Sequence, residues 1–173
     1  MSDDDVVQVT HCNDTRRKFV IDYDRLAQGH PSRFRAFLRP KPYGVWFSFG
    51  NRWKRFVKDE MPEESAHEWR FGHRMKFFKK DLLCIETIAA LDAFEAKYLV
   101  EYNPPKIKDH PELEKYSLQR GPDWTKVVND PANRNIIGVL LRLSALNLDG
   151  ERRIFGWTYA WDVDSVVVFG PRP

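Results

Sequence analysis

The side chains best suited to bind a small molecule lie in segment 41–50, Lys-Pro-Tyr-Gly-Val-Trp-Phe-Ser-Phe-Gly. The proline and glycine just before Val45 disfavour a helix, so a strand is predicted from Val45 onward. Trp46, Ser48 and Gly50 then share one face of that strand. A large ring can cover a planar heterocycle, a hydroxyl can donate to a carboxamide or phosphate, and glycine lets a ligand approach the main chain. The alternative is an ordinary strand whose tryptophan packs against a helix.

A second segment, 157–165, carries two carboxylates two residues apart in the sequence Trp-Thr-Tyr-Ala-Trp-Asp-Val-Asp-Ser. If a strand runs through it, Asp162 and Asp164 lie on one face. A carboxylate there can stabilise the positive charge that develops on a sugar ring when its glycosidic bond breaks, and the second can act as a base. The alternative is a turn between two strands, in which the aspartate side chains accept hydrogen bonds from local backbone N–H groups.

Positive charge is concentrated in the N-terminal third of the chain. Residues 15–58 include twelve Lys or Arg and two Asp, a balance of +10, whereas the whole chain has a formal net charge of +3. Aromatic residues are interleaved with these cations, a pattern that can bind nucleic acid through phosphate contacts and stacking, or hold the pyrophosphate of a dinucleotide. We assign Arg52, Lys54 and Arg55 as candidate contacts to a nucleic acid or another macromolecular acceptor. The alternative is that these cations lie on the solvated faces of surface helices.

Length and composition favour one compact domain that covers residues 1–173, since the chain is 42% hydrophobic. Cys12 and Cys84 are too few for a disulfide framework, and neither they nor the five histidines have the spacing of metal ligands. No stretch approaches the roughly 18 apolar residues of a membrane helix, and the acidic start has no apolar core. We therefore expect a cytoplasmic protein without a metal site or a membrane partner. The sequence leaves its oligomeric state open.

The elements that must position these side chains follow from hydrophobic periodicity and from turn residues. Strands are predicted at residues 6–11, 19–23, 45–49, 68–78, 82–85, 136–141, 154–162 and 166–169. Helices are predicted at residues 31–38, between Asn51 and Pro62, from Thr87 to Tyr98, and at 123–129. Residues 103–122 hold four prolines and are predicted as a long loop, and 148–151 as a hairpin-type turn. Several strands with few helices indicate an α+β fold.

Four pieces of the sequence, in this order, resemble the ADP-ribosyltransferase fold, and more narrowly a group of small uncharacterised bacterial and viral proteins. The first is a histidine on the first strand, here His11. The second is a Lys-Pro-x-Gly-Leu-Trp-x-Ser run with a tryptophan soon after it, here residues 41–48 and Trp53. The third is Phe-x-x-Lys-Tyr at residues 94–98, and the fourth is Trp-x-x-x-Trp-Asp-x-x-Ser at residues 157–165. The resemblance covers most of the chain.

The resemblance implies two small antiparallel or mixed β-sheets that face each other across a split cleft, with a few peripheral helices. In that family the cleft holds NAD, the substrate, in a bent form. The resemblance therefore places His11 at the nicotinamide ribose, and Trp46 and Ser48 beside the nicotinamide. It also adds Trp53 and Tyr43 to the residues expected to bind NAD.

The catalytic residues that the resemblance implies are His11 and Asp162, the latter as the carboxylate that orients the acceptor or a ribose hydroxyl. The late segment 157–165 lacks the Glu-x-Glu or Gln-x-Glu arrangement of transferases that modify arginine or serine-type acceptors. Two functions therefore remain open. One is an NAD-dependent mono-ADP-ribosyltransferase-like enzyme that transfers ADP-ribose to a macromolecular acceptor, a protein or a nucleic acid. The other is a non-catalytic module on the same scaffold, which binds nucleic acid or a partner protein through the basic, aromatic N-terminal third.

Overall fold

The computed structural model describes residues 5–13, 16–27, 41–62, 71–101, 120–148 and 156–170. Within these ranges the strands are β1 (Val6–Asn13), β2 (Val45–Ser48), β3 (Phe71–Phe78), β4 (Leu82–Ile85), β5 (Leu99–Glu101), β6 (Arg120–Pro122), β7 (Gly138–Leu141) and β8 (Ser165–Val168). The α-helices are α1 (Tyr23–Ala27), α2 (Arg52–Glu60), α3 (Ile88–Tyr98), α4 (Trp124–Asn129) and α5 (Leu143–Leu146). Short 3-10 helices span Lys79–Asp81, Pro131–Asn133 and Trp157–Trp161. The predicted α+β class is confirmed.

Six of these strands form a mixed sheet in the order β3-β1-β2-β8-β7-β4, and β5 pairs with β6 in a second, two-stranded sheet. Neighbours in the larger sheet are antiparallel, except that β4 and β7 run parallel. The strand order does not test whether two small sheets face each other across a cleft, so that arrangement stays a prediction.

The larger sheet is divided between β1 and β2. β1 pairs with β3 along its whole length, and β2 pairs with β8 along its whole length. Between β1 and β2, however, the register contains the single pair Thr10↔Ser48. Beyond that pair the two strands separate, which leaves a gap between residues 11–13 and 45–47; we call this gap the notch.

Both faces of the larger sheet are covered by hydrophobic clusters. The first face carries Val139 and Val167 and packs against α3 and the buried Trp157 and Trp161. The second face carries Phe47, Leu140, Val166 and Val168, with Val7 and Val9 from β1. Because β7 and β8 are covered on both faces, every residue of these two strands is buried, which explains their nearly continuous apolar sequences.

Helix α3 begins where the sequence predicts it. The Thr87 hydroxyl accepts a hydrogen bond from the Ala90 N–H at 3.1 Å and caps the first turn. Leu91, Phe94 and Tyr98 are buried on one side of the helix. The predicted helix after Asn51 is also present as α2, although the Asn51 side chain makes no capping hydrogen bond.

Two predicted strands are wrong. Residues 18–22 are irregular and α1 begins at Tyr23; the alternation of the exposed Val20 with the buried Ile21 is real, but Ile21 and Leu26 pack into the second-face cluster without strand pairing. The predicted strand at 154–162 is a 3-10 helix over its described part, Trp157–Trp161, where Tyr159 is exposed and cannot continue an alternating buried face.

Some predictions fall on residues that the structure does not describe. They are the helix at 31–38, the first part of the strand at 68–78, most of the loop at 103–122 and of the turn at 148–151. The described end of that loop forms β6. Among the described residues, no helix is long and apolar enough to cross a membrane.

Candidate functional site

A pocket of about 440 Å³ opens at the notch. This volume lies within the range of about 300–1,000 Å³ that is typical of small-molecule sites. Because β1 and β2 separate there, side chains from both faces of the sheet reach the same space. The described residues that line this notch pocket are Thr10, His11, Cys12, Phe19, Lys41, Gly44, Val45, Trp46, Phe47, Ser48, Trp53, Trp161 and Ser165.

His11 is held in one tautomer by a hydrogen bond to the backbone of β2. Its Nδ1 lies 2.8 Å from the carbonyl oxygen of Trp46, and since a carbonyl can only accept, Nδ1 carries the proton. Burial lowers the pKa of His11 from its ordinary value of 6.5, the Trp46 hydrogen bond raises it, and the nearby His73 lowers it further. The net decrease in pKa keeps the ring neutral at pH 7, so Nε2 carries a lone pair that can accept a hydrogen bond.

Phe19 fixes the ring plane of His11. The two rings are stacked, with centroids 4.1 Å apart and an interplanar angle of 28°. Phe19 also meets Phe47 edge to face at 6.1 Å. The sequence prediction placed Phe19 on a strand and gave it no part in the site, because nothing local in the sequence places it against a histidine eight residues earlier.

Trp46, Trp161 and Lys41 form another part of the pocket wall. The Trp46 and Trp161 rings meet edge to face at an interplanar angle of 64°, with centroids 4.7 Å apart. The Lys41 ammonium lies 5.5 Å from the centroid of the Trp46 ring, within cation–π range. Lys41 and Trp161 belong to the two segments that the sequence singles out, but the sequence prediction gave neither of them a role.

Ser48 belongs to a row of hydroxyl groups that crosses three strands. The register aligns Thr10 of β1 with Ser48 of β2, and Ser48 with Ser165 of β8, and all three residues line the notch pocket. Ser48 is buried, and its Oγ accepts a long hydrogen bond, 3.4 Å, from the Trp53 N–H at the start of α2. The pocket therefore combines aromatic rings with a short polar row.

Trp53 is positioned by α2. It lines the notch pocket and stacks against Phe56, one turn later in the helix, with centroids 5.4 Å apart and an interplanar angle of 24°. Tyr43, which was also predicted to bind NAD, packs against the hydrophobic cluster of the second face instead. It is not among the described residues that line the notch pocket.

Asp162 does not lie on a strand, and the prediction that it shares a strand face with Asp164 is wrong. It follows the 3-10 helix with a positive φ of 57° and lines a second cavity rather than the notch pocket. Its Oδ2 lies 2.9 Å from the Lys41 Nζ, and these side chains are 26% and 38% exposed. Lys41 lines the notch pocket, so one ion pair connects the two spaces.

Asp164 is buried and faces a different set of partners. Its carboxylate accepts hydrogen bonds from the Ser144 N–H at 2.8 Å and from the Ser144 hydroxyl at 2.5 Å, and it pairs with the Arg52 guanidinium. Arg142 Nε lies 3.9 Å away. The turn alternative is therefore closer to the structure, but the donors come from α5 and α2 rather than from the local backbone.

The three predicted macromolecule contacts differ in their surroundings. Arg52 is committed to the ion pair with Asp164, although 44% of its side chain is exposed. Lys54 is partly buried. Burial of the Cys12 thiol raises the pKa of Cys12, and the charge of Lys54 lowers it less strongly. Arg55 is exposed. Because Cys12 lines the notch pocket as a neutral thiol, it is poorly suited to act as a nucleophile.

The notch pocket can bind a planar ring beside a hydroxyl-bearing group. Trp46 and Trp53 provide aromatic surface, Thr10 and Ser48 provide hydroxyl groups, and neutral His11 provides an acceptor nitrogen. Four residues predicted from separate parts of the sequence, His11, Trp46, Ser48 and Trp53, are thus brought together. Comparisons with protein-family models, with curated proteins and with solved structures find no match to this chain.

Proposed function

We propose that the chain is an NAD-dependent ADP-ribosyltransferase-like enzyme whose notch pocket holds the nicotinamide and its ribose. The observation that carries this proposal is the convergence of His11, Trp46, Ser48 and Trp53 on one pocket of about 440 Å³. In the proposed fold, the β3–β1 arm and the β2–β8–β7–β4 arm correspond to the two facing sheets, and the notch corresponds to the split between them.

Six of the residues that line the pocket have a role in the proposed binding of NAD. Trp46 and Trp53 offer ring surfaces to the cationic pyridinium of NAD. Thr10 and Ser48 offer hydroxyl groups to the carboxamide, whereas the Ser165 hydroxyl donates its proton to the Val163 carbonyl oxygen at 2.8 Å and is left as an acceptor. His11 Nε2, left as an acceptor by the Nδ1–H bond to Trp46, accepts a hydrogen bond from a ribose hydroxyl.

The transfer step needs a carboxylate, and we assign that part to Asp162. A nucleophilic atom of the acceptor forms a bond to C1′ of the ribose while the C1′–N bond to nicotinamide breaks. The electron pair of the broken bond stays on the nicotinamide nitrogen, and the proton of the nucleophile passes to the Asp162 carboxylate. A carboxylate also stabilises the positive charge that develops on the ribose, and the Lys41 ion pair at 2.9 Å holds Asp162 next to the pocket.

The release of free nicotinamide from NAD tests the proposed reaction. We expect the wild-type protein to release nicotinamide, and Asp162→Asn to lower the rate by about 100-fold or more, as is usual for loss of a general base. Asp59→Asn is the matched control, since Asp59 is an exposed carboxylate on α2 that lines neither cavity among the described residues. Equal rates of nicotinamide release in the two variants would show that Asp162 takes no part in the reaction.

A second candidate function is a binding module without turnover, and the surroundings of Trp53 favour it. Arg52, Lys54 and Arg55 lie beside this tryptophan on α2, and the Arg52 and Arg55 side chains reach solvent. If the module binds nucleic acid, affinity should fall steeply with salt, and Arg55→Gln should reduce that slope. Nucleic-acid binding that does not respond to salt would exclude electrostatic binding of nucleic acid by this surface.

A further inference from the structure

A second cavity, of about 390 Å³, lies on the other side of the Lys41–Asp162 ion pair from the notch pocket. Nothing in the proposed binding of NAD uses it. Its walls combine apolar and acidic side chains from α2, α5 and the 3-10 helix. The lining includes Phe56, Glu60, Leu143, Leu148, Tyr159 and Asp162.

The charge of this second cavity is negative. Among its described lining residues, Glu60 and Asp162 are acids and none is Lys or Arg. Lys41 compensates Asp162, whereas Glu60 is exposed and makes no ion pair with any described residue. The described lining residues therefore present a negative charge balance to a ligand, which favours a cation over a phosphate group.

Tyr159 gives the cavity an aromatic surface that the fold does not need for its core. Its neighbours Trp157, Thr158 and Trp161 are buried, but Tyr159 is 64% exposed. An exposed ring beside two carboxylates is a suitable platform for an ammonium or guanidinium group. The partly buried Phe56 and Leu143 provide apolar surface for the stem of a long cationic side chain.

We propose that the second cavity binds a Lys or Arg side chain of a partner protein, flanked by apolar residues. Asp162 lines this cavity, and its partner Lys41 lines the notch pocket, so a side chain bound here lies next to the ion pair that joins the two spaces. The further statement that this protein segment is the ADP-ribose acceptor rests on the proposed function. The acidic lining favours a protein over a nucleic acid as the occupant.

The test is a binding experiment without NAD. A fluorescent peptide with one arginine between two leucines is compared with the same peptide in which citrulline replaces the arginine, which keeps the shape and removes the charge. We expect the arginine peptide to bind more tightly. Glu60→Gln and Tyr159→Ala should each weaken it about two- to fivefold, the usual range for an exposed ion pair or cation–π contact. The matched control Asp59→Asn should not.

Backbone NMR shifts locate the peptide. We expect chemical-shift changes at Glu60, Leu143 and Tyr159. The proposal would be overturned by equal affinity for the two peptides or by chemical-shift changes confined to other surfaces. It would also be overturned if an oligonucleotide changed the chemical shifts of these same residues. Peptide binding in a protein that does not bind NAD would support the cavity and refute the proposed function. NAD turnover without peptide binding would refute the cavity alone.

Discussion

Asp164→Asn should destabilise the fold far more than the same change at Asp162. The Asp164 side chain is 1% exposed, accepts two hydrogen bonds from Ser144 and pairs with Arg52. Asparagine keeps the shape, but it removes the charge and forces an amide group toward one of these donors. A hydrogen bond to a charged group contributes about 1.5–3 kcal/mol, and the exposed part of Arg52 reduces the penalty, so we expect a loss of about 2–4 kcal/mol.

At Asp162 the same substitution removes an ion pair whose two side chains are 26% and 38% exposed. Exposed ion pairs contribute about 0–1 kcal/mol. Asparagine has nearly the same shape as aspartate, so the substitution does not change the steric demands of the backbone at this position, where φ is 57° and ψ is −52°. We therefore expect a loss of no more than about 1 kcal/mol, which makes Asp162→Asn a matched control two residues away in the sequence.

Urea unfolding followed by tryptophan fluorescence measures both changes in the free energy of unfolding. With a slope of about 2 kcal/mol per molar urea, Asp164→Asn should lower the midpoint by roughly 1–2 M. Because Arg52 begins α2 and Trp53 follows it, the folded variant should also bind NAD more weakly. Equal midpoints for the two variants would refute the reasoning that Asp164 anchors α2 and α5 to the end of the 3-10 segment.

Three further substitutions test other parts of the structure. The pKa of His11 in the folded state lies below its ordinary value, so the unfolded chain binds a proton at His11 more readily. The free energy of unfolding should therefore fall as the pH drops through 6.5. Urea titrations at about pH 5.5 and about pH 7.5 should show a smaller fall in His11→Gln than in the wild-type protein. Lys41→Met should cost at most about 1 kcal/mol but slow nicotinamide release, whereas the exposed Lys58→Met should not slow it. Tyr98→Phe should cost about 1–3 kcal/mol by thermal or urea unfolding, because the buried Tyr98 hydroxyl donates to Asp130 at 2.6 Å and accepts from Asn133 at 3.0 Å.

Much of the framework follows from local sequence signals. Thr87 predicts the start of α3 because threonine is favoured at the residue before a helix, where its hydroxyl caps the first turn. The apolar runs of β7 and β8 predict strands buried on both faces. The proline and glycine before Val45 predict the start of β2, and the Cβ that Gly44 lacks would lie 2.4 Å from the Val168 carbonyl oxygen.

The apolar spacing of Trp157–Trp161 does not distinguish the 3-10 helix from a strand. Buried residues at 157, 158 and 161 follow helical rather than alternating positions, but Trp157 and Trp161 alone fit both patterns. The positive φ of Asp162 has no comparable signal, because nothing in the sequence requires a non-glycine residue to adopt it. The different directions of the Asp162 and Asp164 side chains therefore required the structure.

The candidate site was predictable only in part for the same physical reason. His11, Trp46 and Ser48 could be placed because each lies on a strand with a clear pattern. Their mutual contacts depend on the separation of β1 from β2, which is a long-range property of the sheet. The stacking of Phe19 on His11 and the Lys41–Asp162 ion pair, formed between residues 121 positions apart, likewise have no local signal.

Saturation-transfer NMR with NAD on the purified protein tests whether the notch pocket binds NAD. We expect transfer to the nicotinamide and ribose protons in the wild-type protein. The transfer should be strongly reduced in the Ser48→Ala and His11→Ala variants and retained in His73→Ala. His73 is the cross-strand neighbour of His11 and is not among the described residues that line the notch pocket. Absence of transfer at millimolar NAD, or equal transfer in all three variants, would contradict the assignment of the notch pocket as an NAD site.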